Sequence, residues 1–145
     1  DLIRQINNGQ DYLVRVQARA NYVKGENKPV VVYMSAVPNR VVFLAGDTVA
    51  AQTIDPSKLS AQDFQKSIQE LFAASNSRAR VAGVLNDNIQ IEKLLTLGSF
   101  IDQLRRYPTP VELRAVASDV TYTAGPLKIE LVAVQNGQVV LRASS

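Results

Sequence analysis

The sequence predicts an α+β domain, an antiparallel sheet of about six strands with two helices packed on one face. Three observations carry that expectation. Apolar residues alternate with polar ones through the opening and closing thirds, but recur at helical spacing through the middle. Turn-forming clusters, from Asn7-Asn8-Gly9 to Asn136-Gly137, punctuate the alternating stretches. With 145 residues, 46% hydrophobic and 20% charged, the chain has material for a packed core and lacks the low hydrophobicity of a disordered segment. No repeat, linker or low-complexity segment interrupts it, so one domain over 1–145 is expected.

Residues 1–10 form a short helical or irregular lead-in that stops at Gly9. From Asp11 the period becomes two. Tyr12, Val14, Val16, Ala18 and Ala20 alternate with Leu13, Arg15, Gln17, Arg19 and Asn21, which predicts a strand with one buried and one wet face. Gly25 to Lys28 is a loop. The apolar run between Pro29 and Pro38 is bracketed by prolines, rich in β-branched residues and far short of the ~20 residues of a membrane span, so it predicts a buried strand. Turns at Pro38-Asn39-Arg40 and Ala45-Gly46-Asp47 set off strands over 41–44 and 49–54, making the opening third an antiparallel meander.

Asp55-Pro56-Ser57 closes that region. Ser60, with Asp63 three residues on, has the form of an N-cap and an acid in the first turn. Phe64, Ile68, Leu71, Phe72 and Ser75 follow on one helical stripe, and the helix either breaks at Asn76-Ser77 or runs on to Gly83. Residues 89–97 suit a strand or a helix equally. Ser99 and Asp102 predict the cap of a second helix carrying Phe100, Ile101 and Leu104 and stopping before Pro108. Alternation then resumes over 111–117 and 127–133. Asn136-Gly137 is a two-residue hairpin turn leading into 139–142.

Composition excludes much chemistry. The chain has no Cys, His or Trp. That removes disulfides, a Cys/His zinc site, a thiol nucleophile and a histidine base. Carboxylates are the only acid–base stock, and Asp47, Asp55, Asp63, Asp87, Asp102 and Asp119 are scattered over turns and caps. No catalytic residue, cofactor or metal ligand is assigned. A ribonuclease-H-like fold is an alternative, since a meander followed by a helix opens that fold. The pI near 9.3 rests on a dispersed excess of +3, so nucleic-acid binding would require Arg78, Arg80, Arg105 and Arg106 to converge.

Two segments remain as candidate interaction sites. Arg15, Gln17 and Arg19 project from one strand face; they are either a solvated face that blocks edge pairing or a docking surface for an acidic partner. Asp119-Val-Thr-Tyr-Thr-Ala-Gly-Pro126, with Asp119, Tyr122, Thr123 and Gly125, forms either a polar pocket or a tight corner whose tyrosine packs on the core. The corner is the reading favoured by these residue types.

Several segments together resemble one family: Asp11-Tyr-Leu-Val-Arg-Val16, Ala20-Asn-Tyr-Val-Lys-Gly-Glu26, Val37-Pro-Asn-Arg-Val-Val-Phe43, Ala74-Ser-Asn-Ser-Arg-Ala-Arg-Val-Ala-Gly-Val84 and Thr121-Tyr-Thr-Ala-Gly-Pro-Leu127, with Ala45-Gly46 and Asn136-Gly137. The chain is similar to the uncharacterised C-terminal domain of membrane-anchored coiled-coil proteins of cyanobacteria and the Deinococcus group. The resemblance implies two membrane helices joined by an Arg/Lys-rich loop, then a long coiled coil, then this domain, with no enzymatic activity carried over. By the positive-inside rule the domain would lie in the cell envelope, on the periplasmic side of the inner membrane, with the cytoplasmic face as the alternative. Asp1 then reads as a cut near the end of the coiled coil, with 1–10 leading in from it. The expected partners are a second copy through the coiled coil and an envelope protein or anionic envelope polymer at Arg15 and Arg19. A small-ligand or metal-dependent pocket around Asp119–Gly125 is the alternative.

Overall fold

Alternation with a period of two builds strands at both ends of the chain, but the apolar faces they create meet different fates. The chain is described by a computed structural model that covers residues 2–91 and 94–143. Two compact units are distinguished, Asp1–Arg40 and Val41–Ser145.

In the first unit, α1 (Leu2–Ile6) is one short turn of helix, and β1 (Tyr12–Ala18) pairs antiparallel with β2 (Val32–Pro38). Tyr12 lies opposite Pro38 and Ala18 opposite Val32. The ladder continues one step beyond each end: the Arg19 N–H donates to the Val31 carbonyl and the Asn39 N–H to the Asp11 carbonyl, both at 2.8 Å. Among the described residues no third strand joins this ribbon. The predicted buried face of β1 and the buried strand between Pro29 and Pro38 are not found: no residue of either strand is buried. Alternation specifies which side chains share a face, whereas burial needs a second layer. Among the described residues of this unit the only other regular element is the five-residue α1.

The second unit runs β3 (Val41–Phe43), β4 (Thr48–Ile54), α2 (Ala61–Ala82), β5 (Gln90–Ile91), α3 (Leu94–Arg105), β6 (Val111–Ala117), β7 (Thr121–Tyr122), β8 (Lys128–Gln135) and β9 (Gln138–Arg142). The α+β class, the antiparallel pairing and the two main helices are as predicted; the connectivity is not a meander. A five-stranded sheet has β4, β6 and β8 side by side. The remaining edge of β8 is shared by β5, parallel to its start, and β9, antiparallel to its end. β3 pairs instead with β7. The turn after β3 explains the divergence. Gly46 N–H donates to the Ala117 carbonyl at 2.7 Å and Ala117 N–H to the Asp47 carbonyl at 2.8 Å, which delivers β4 to the flank of β6. With strands 1 and 2, 3 and 7, and 4 and 6 paired apart, the opening meander of a ribonuclease-H-like fold is absent.

Helix α2 is capped at both ends. Ser60 is its N-cap and accepts from the Asp63 N–H at 3.1 Å. Gly83, at φ +107°, donates to the Arg80 carbonyl while Val84 donates to Ala79, so two end carbonyls are satisfied and the helix runs through Asn76-Ser77 to Ala82. Its stripe of Phe64, Ile68, Leu71, Ser75 and Ala79 is buried against the sheet. Ser99 does not cap α3. The helix starts at Leu94, so Ser99 lies within it and its hydroxyl donates to the Thr96 carbonyl at 3.0 Å; Asp102 is correspondingly outside the first turn. The ambiguous stretch 89–97 divides between β5 and the start of α3, with Glu92 and Lys93 outside the described residues. Phe100 and Leu104 of α3 join the α2 stripe over Leu113, Ala115, Leu131 and Ala133 in one core. The opposite sheet face holds a smaller buried cluster of Val116, Val132 and Val134. Asn136 and Gly137, both at positive φ, make the expected two-residue turn between Gln135 and Gln138.

Leu131 is fully buried on the central strand β8, whereas Val16 of β1 is 59% exposed. Leu131→Ala should therefore cost about 2–5 kcal/mol in urea unfolding. Val16→Ala should stay within about 0.5 kcal/mol of the parent, and Ser60→Ala should cost about 1 kcal/mol.

Candidate functional site

The β1–β2 ribbon sorts its side chains by charge. On one face lie Leu13, Arg15 and Gln17 of β1, with Val37, Ser35 and Tyr33 opposite them, and Arg19 follows in line. On the other lie Val14, Val16 and Ala18, opposite Ala36, Met34 and Val32. Arg15, Gln17 and Arg19 are all exposed, and among the described residues neither arginine makes an ion pair. Ser35, Tyr33 and Val31, opposite Arg15, Gln17 and Arg19, carry no carboxylate. Residues 15 to 19 span about 13 Å of extended chain at ~3.3 Å per residue. The apolar face is equally open: Val14, Val16, Val32 and Met34 are between 44% and 59% exposed. The structure thus brings together three predicted site residues and adds an apolar face that the sequence alone had assigned to the core.

The other four, Asp119, Tyr122, Thr123 and Gly125, lie in one corner of the second unit. The Gly125 N–H donates to the Tyr122 carbonyl and the Leu85 N–H to the Thr123 carbonyl, each at 2.8 Å. Gly125 sits at φ +66°, and a Cβ there would lie 2.8 Å from the Asn86 Cβ and 3.0 Å from the Val84 Cγ1. The space is filled by those residues. The tyrosine does not pack inward: Tyr122 is half-exposed while Thr121 and Thr123 are buried. Pairing sets this parity, because Thr121 lies opposite buried Phe43 and Tyr122 opposite exposed Val41. Asp119 is exposed, 3.9 Å from the Lys128 ammonium.

Several carboxylates elsewhere are each paired with one cation. Glu112 forms a two-pronged bond with Arg114, 2.9 Å on each oxygen, because residues two apart on β6 share a face. That bond holds the Glu112 carboxyl below the usual glutamate range and raises the Arg114 guanidinium. Glu130 of β8 bonds Arg142 of β9. Hydrogen bonds from Ser57 and Lys58 lower the Asp55 carboxyl. Arg80, at the end of α2, lies 3.3 Å from Asp87, which lines a cleft of about 330 Å³ with Phe72, Asn76, Ile89 and Ile91. Asp87 is two-thirds exposed, a solvated and ion-paired carboxylate. Arg78 is also on α2, and Arg105 and Arg106 are at and just past the end of α3. Among the described residues no three acidic side chains gather where a metal could be held. The Glu112–Arg114 pair was within reach of the sequence, since strand alternation places positions 112 and 114 on one side; the free edge of β1 was not.

A model of the family described as the DUF3084-associated C-terminal helical hairpin matches residues 43–145. In this chain that segment holds α2 and α3, the two long helices, together with the whole of the five-stranded sheet. An uncharacterised protein of Nostoc sp. is 39% identical over 140 residues, covering 97% of this chain. The chain spans 27% of the length of that curated relative. No solved structure matches it.

The Glu112–Arg114 pair gives a pH test with a defined sign. The Glu112 carboxyl is lowered in the folded state, so its contribution is complete above the usual glutamate range and is lost as pH falls through the folded-state value. Glu112→Gln should therefore lower stability at neutral pH, by no more than about 1 kcal/mol for a partly exposed pair, and with it the melting temperature. The two melting curves should converge in acid.

Proposed function

The chain belongs to the family of DUF3084-associated C-terminal domains, and we propose that it is a non-catalytic protein-interaction domain, carried at the end of a membrane-anchored coiled coil and organising the cell envelope. One observation carries the reading: the β1–β2 ribbon offers aligned, unpaired arginines on one face and uncovered valines and a methionine on the other. Ribbon faces that nothing described within their own unit covers are the pattern expected of a surface that acquires its partner in the assembly.

The partner is an envelope protein with an acidic stretch. A purely anionic polymer would neutralise Arg15 and Arg19 but leave Val14, Val16, Val32 and Met34 in water, whereas a protein supplies both charges and apolar groups. No helix among the described residues is long and apolar enough to cross a membrane; the proposed anchor belongs to the segments that the family resemblance implies. The coiled coil there joins two copies of the domain on the periplasmic side. Two tethered copies raise avidity by about 10²–10⁴ where both reach the partner.

The test uses the whole protein in envelope membranes, with a photo-crosslinker at Gln17. A discrete protein adduct should form, should vanish with Arg15→Glu/Arg19→Glu, and should weaken as salt rises from about 0.05 to about 0.3 M. An adduct indifferent to charge reversal and salt, or one formed with polysaccharide alone, contradicts the reading. Sedimentation of the whole protein should give a dimer; a monomer at every concentration contradicts the coiled-coil part.

A further inference from the structure

We propose that the outer edge of β1 takes up an extended segment of the partner as a third strand, with side chains that alternate between acidic and apolar. The inference deepens the interaction reading above and rests on it. Its first support is backbone chemistry. β1 pairs with β2 along one edge only, and among the described residues no strand lies along the other. The odd-numbered residues of β1 bond β2, so Tyr12, Val14, Val16 and Ala18 present their N–H and C=O groups along the outer edge, the arrangement that strand addition satisfies.

The second support is the sorting of side chains. A strand added beside β1 alternates between the same two faces. On one it meets Arg15, Gln17 and Arg19, where no acid is present in the ribbon to neutralise the arginines. On the other it meets Val14, Val16 and Ala18, backed by Met34 and Val32. A segment with Glu or Asp at every second position and Val, Ile or Leu between them answers both faces in one register. The match covers about seven residues, roughly 23 Å at ~3.3 Å each.

The same sorting argues against a second copy at this edge in the registers that oppose its arginines. Two β1 strands pairing antiparallel about Gln17 would set Arg15 opposite Arg19 of the other copy, and a parallel in-register pairing would set each arginine against itself. Like charges directly opposed destabilise a strand pair. The outer edge of β2 offers no comparable selection, since its residues on the arginine face are Tyr33, Ser35 and Val37.

The experiment titrates the 145-residue chain with three nine-residue peptides: one alternating Glu and Val, its block isomer with all Glu before all Val, and one alternating Lys and Val. Affinity is read by fluorescence anisotropy and strand formation by amide exchange in NMR. The alternating Glu/Val peptide should bind at least about tenfold more tightly than either control. It should slow exchange at alternate amides of β1, and it should lose about tenfold in affinity with Arg15→Gln/Arg19→Gln, exposed changes that leave the ribbon pairing intact. Val14→Thr/Val16→Thr should also weaken binding while retaining the salt dependence. Equal binding of the block isomer, or binding without protection of β1 amides, overturns strand addition and leaves the interaction domain standing. Failure of all three peptides overturns the inference too, and the fate of the broader reading then lies with the whole-protein crosslink from Gln17.

Discussion

Pairing between β6 and β8 is the constraint on which the larger unit depends. Glu112 to Ala117 lie antiparallel against Val134 to Ile129, and these strands hold the most completely buried stretch of the chain. Every other strand of that sheet is fastened to one of the two: β4 to β6, and β5 and β9 to β8. β6 and β8 are central strands, paired along both edges and covered on one face by the helix-packed core, while Val116, Val132 and Val134 of the same strands are buried on the other, so their backbone hydrogen bonds are largely shielded from water. An unmade bond there would cost the full desolvation of its groups. The helices pack on the same sheet, where Phe64, Ile68, Leu71, Phe100 and Leu104 share one core with the inner residues of β6 and β8.

The β1–β2 ribbon stands in contrast. It has the same alternation and a full antiparallel ladder, but none of its strand residues is buried. An isolated two-stranded ribbon is marginal in water, so its persistence depends on what covers it. The family match begins at residue 43, after the ribbon, whereas the similarity to the Nostoc protein extends over 97% of the chain. The family model thus covers the fold-bearing unit, while the similarity to the Nostoc protein takes in the ribbon as well.

Local signals were legible wherever local chemistry decides the structure. The Ser60 cap, the Asn136-Gly137 turn and the alternation of β6 and β8 all follow from backbone rules that operate within a few residues, and Gly83 is one of the two stops that the sequence leaves open for α2. Strand partners were not legible, because pairing is decided by distant groups: a turn at Gly46 bonding Ala117 carries β4 away from β3, and nothing near residue 46 announces Ala117. Ser99 misled because Ser followed by an acid also occurs inside helices, where the hydroxyl turns back to a carbonyl. The arginine row of the candidate site was visible as i, i+2, i+4 spacing. Its apolar counterpart was assigned to the core, since alternation alone cannot tell a face that is covered from one that waits to be covered.

The central claim is that one unit is closed upon itself while the ribbon is an open surface. Native-state hydrogen exchange on the chain tests it most directly. Amides of β6 and β8 should exchange only through global unfolding, and those of β1 and β2 through much smaller local openings that lie well below the global free energy. Protection of β1 and β2 equal to that of β6 and β8 would show the ribbon to be as firmly covered as the core, and would contradict the account.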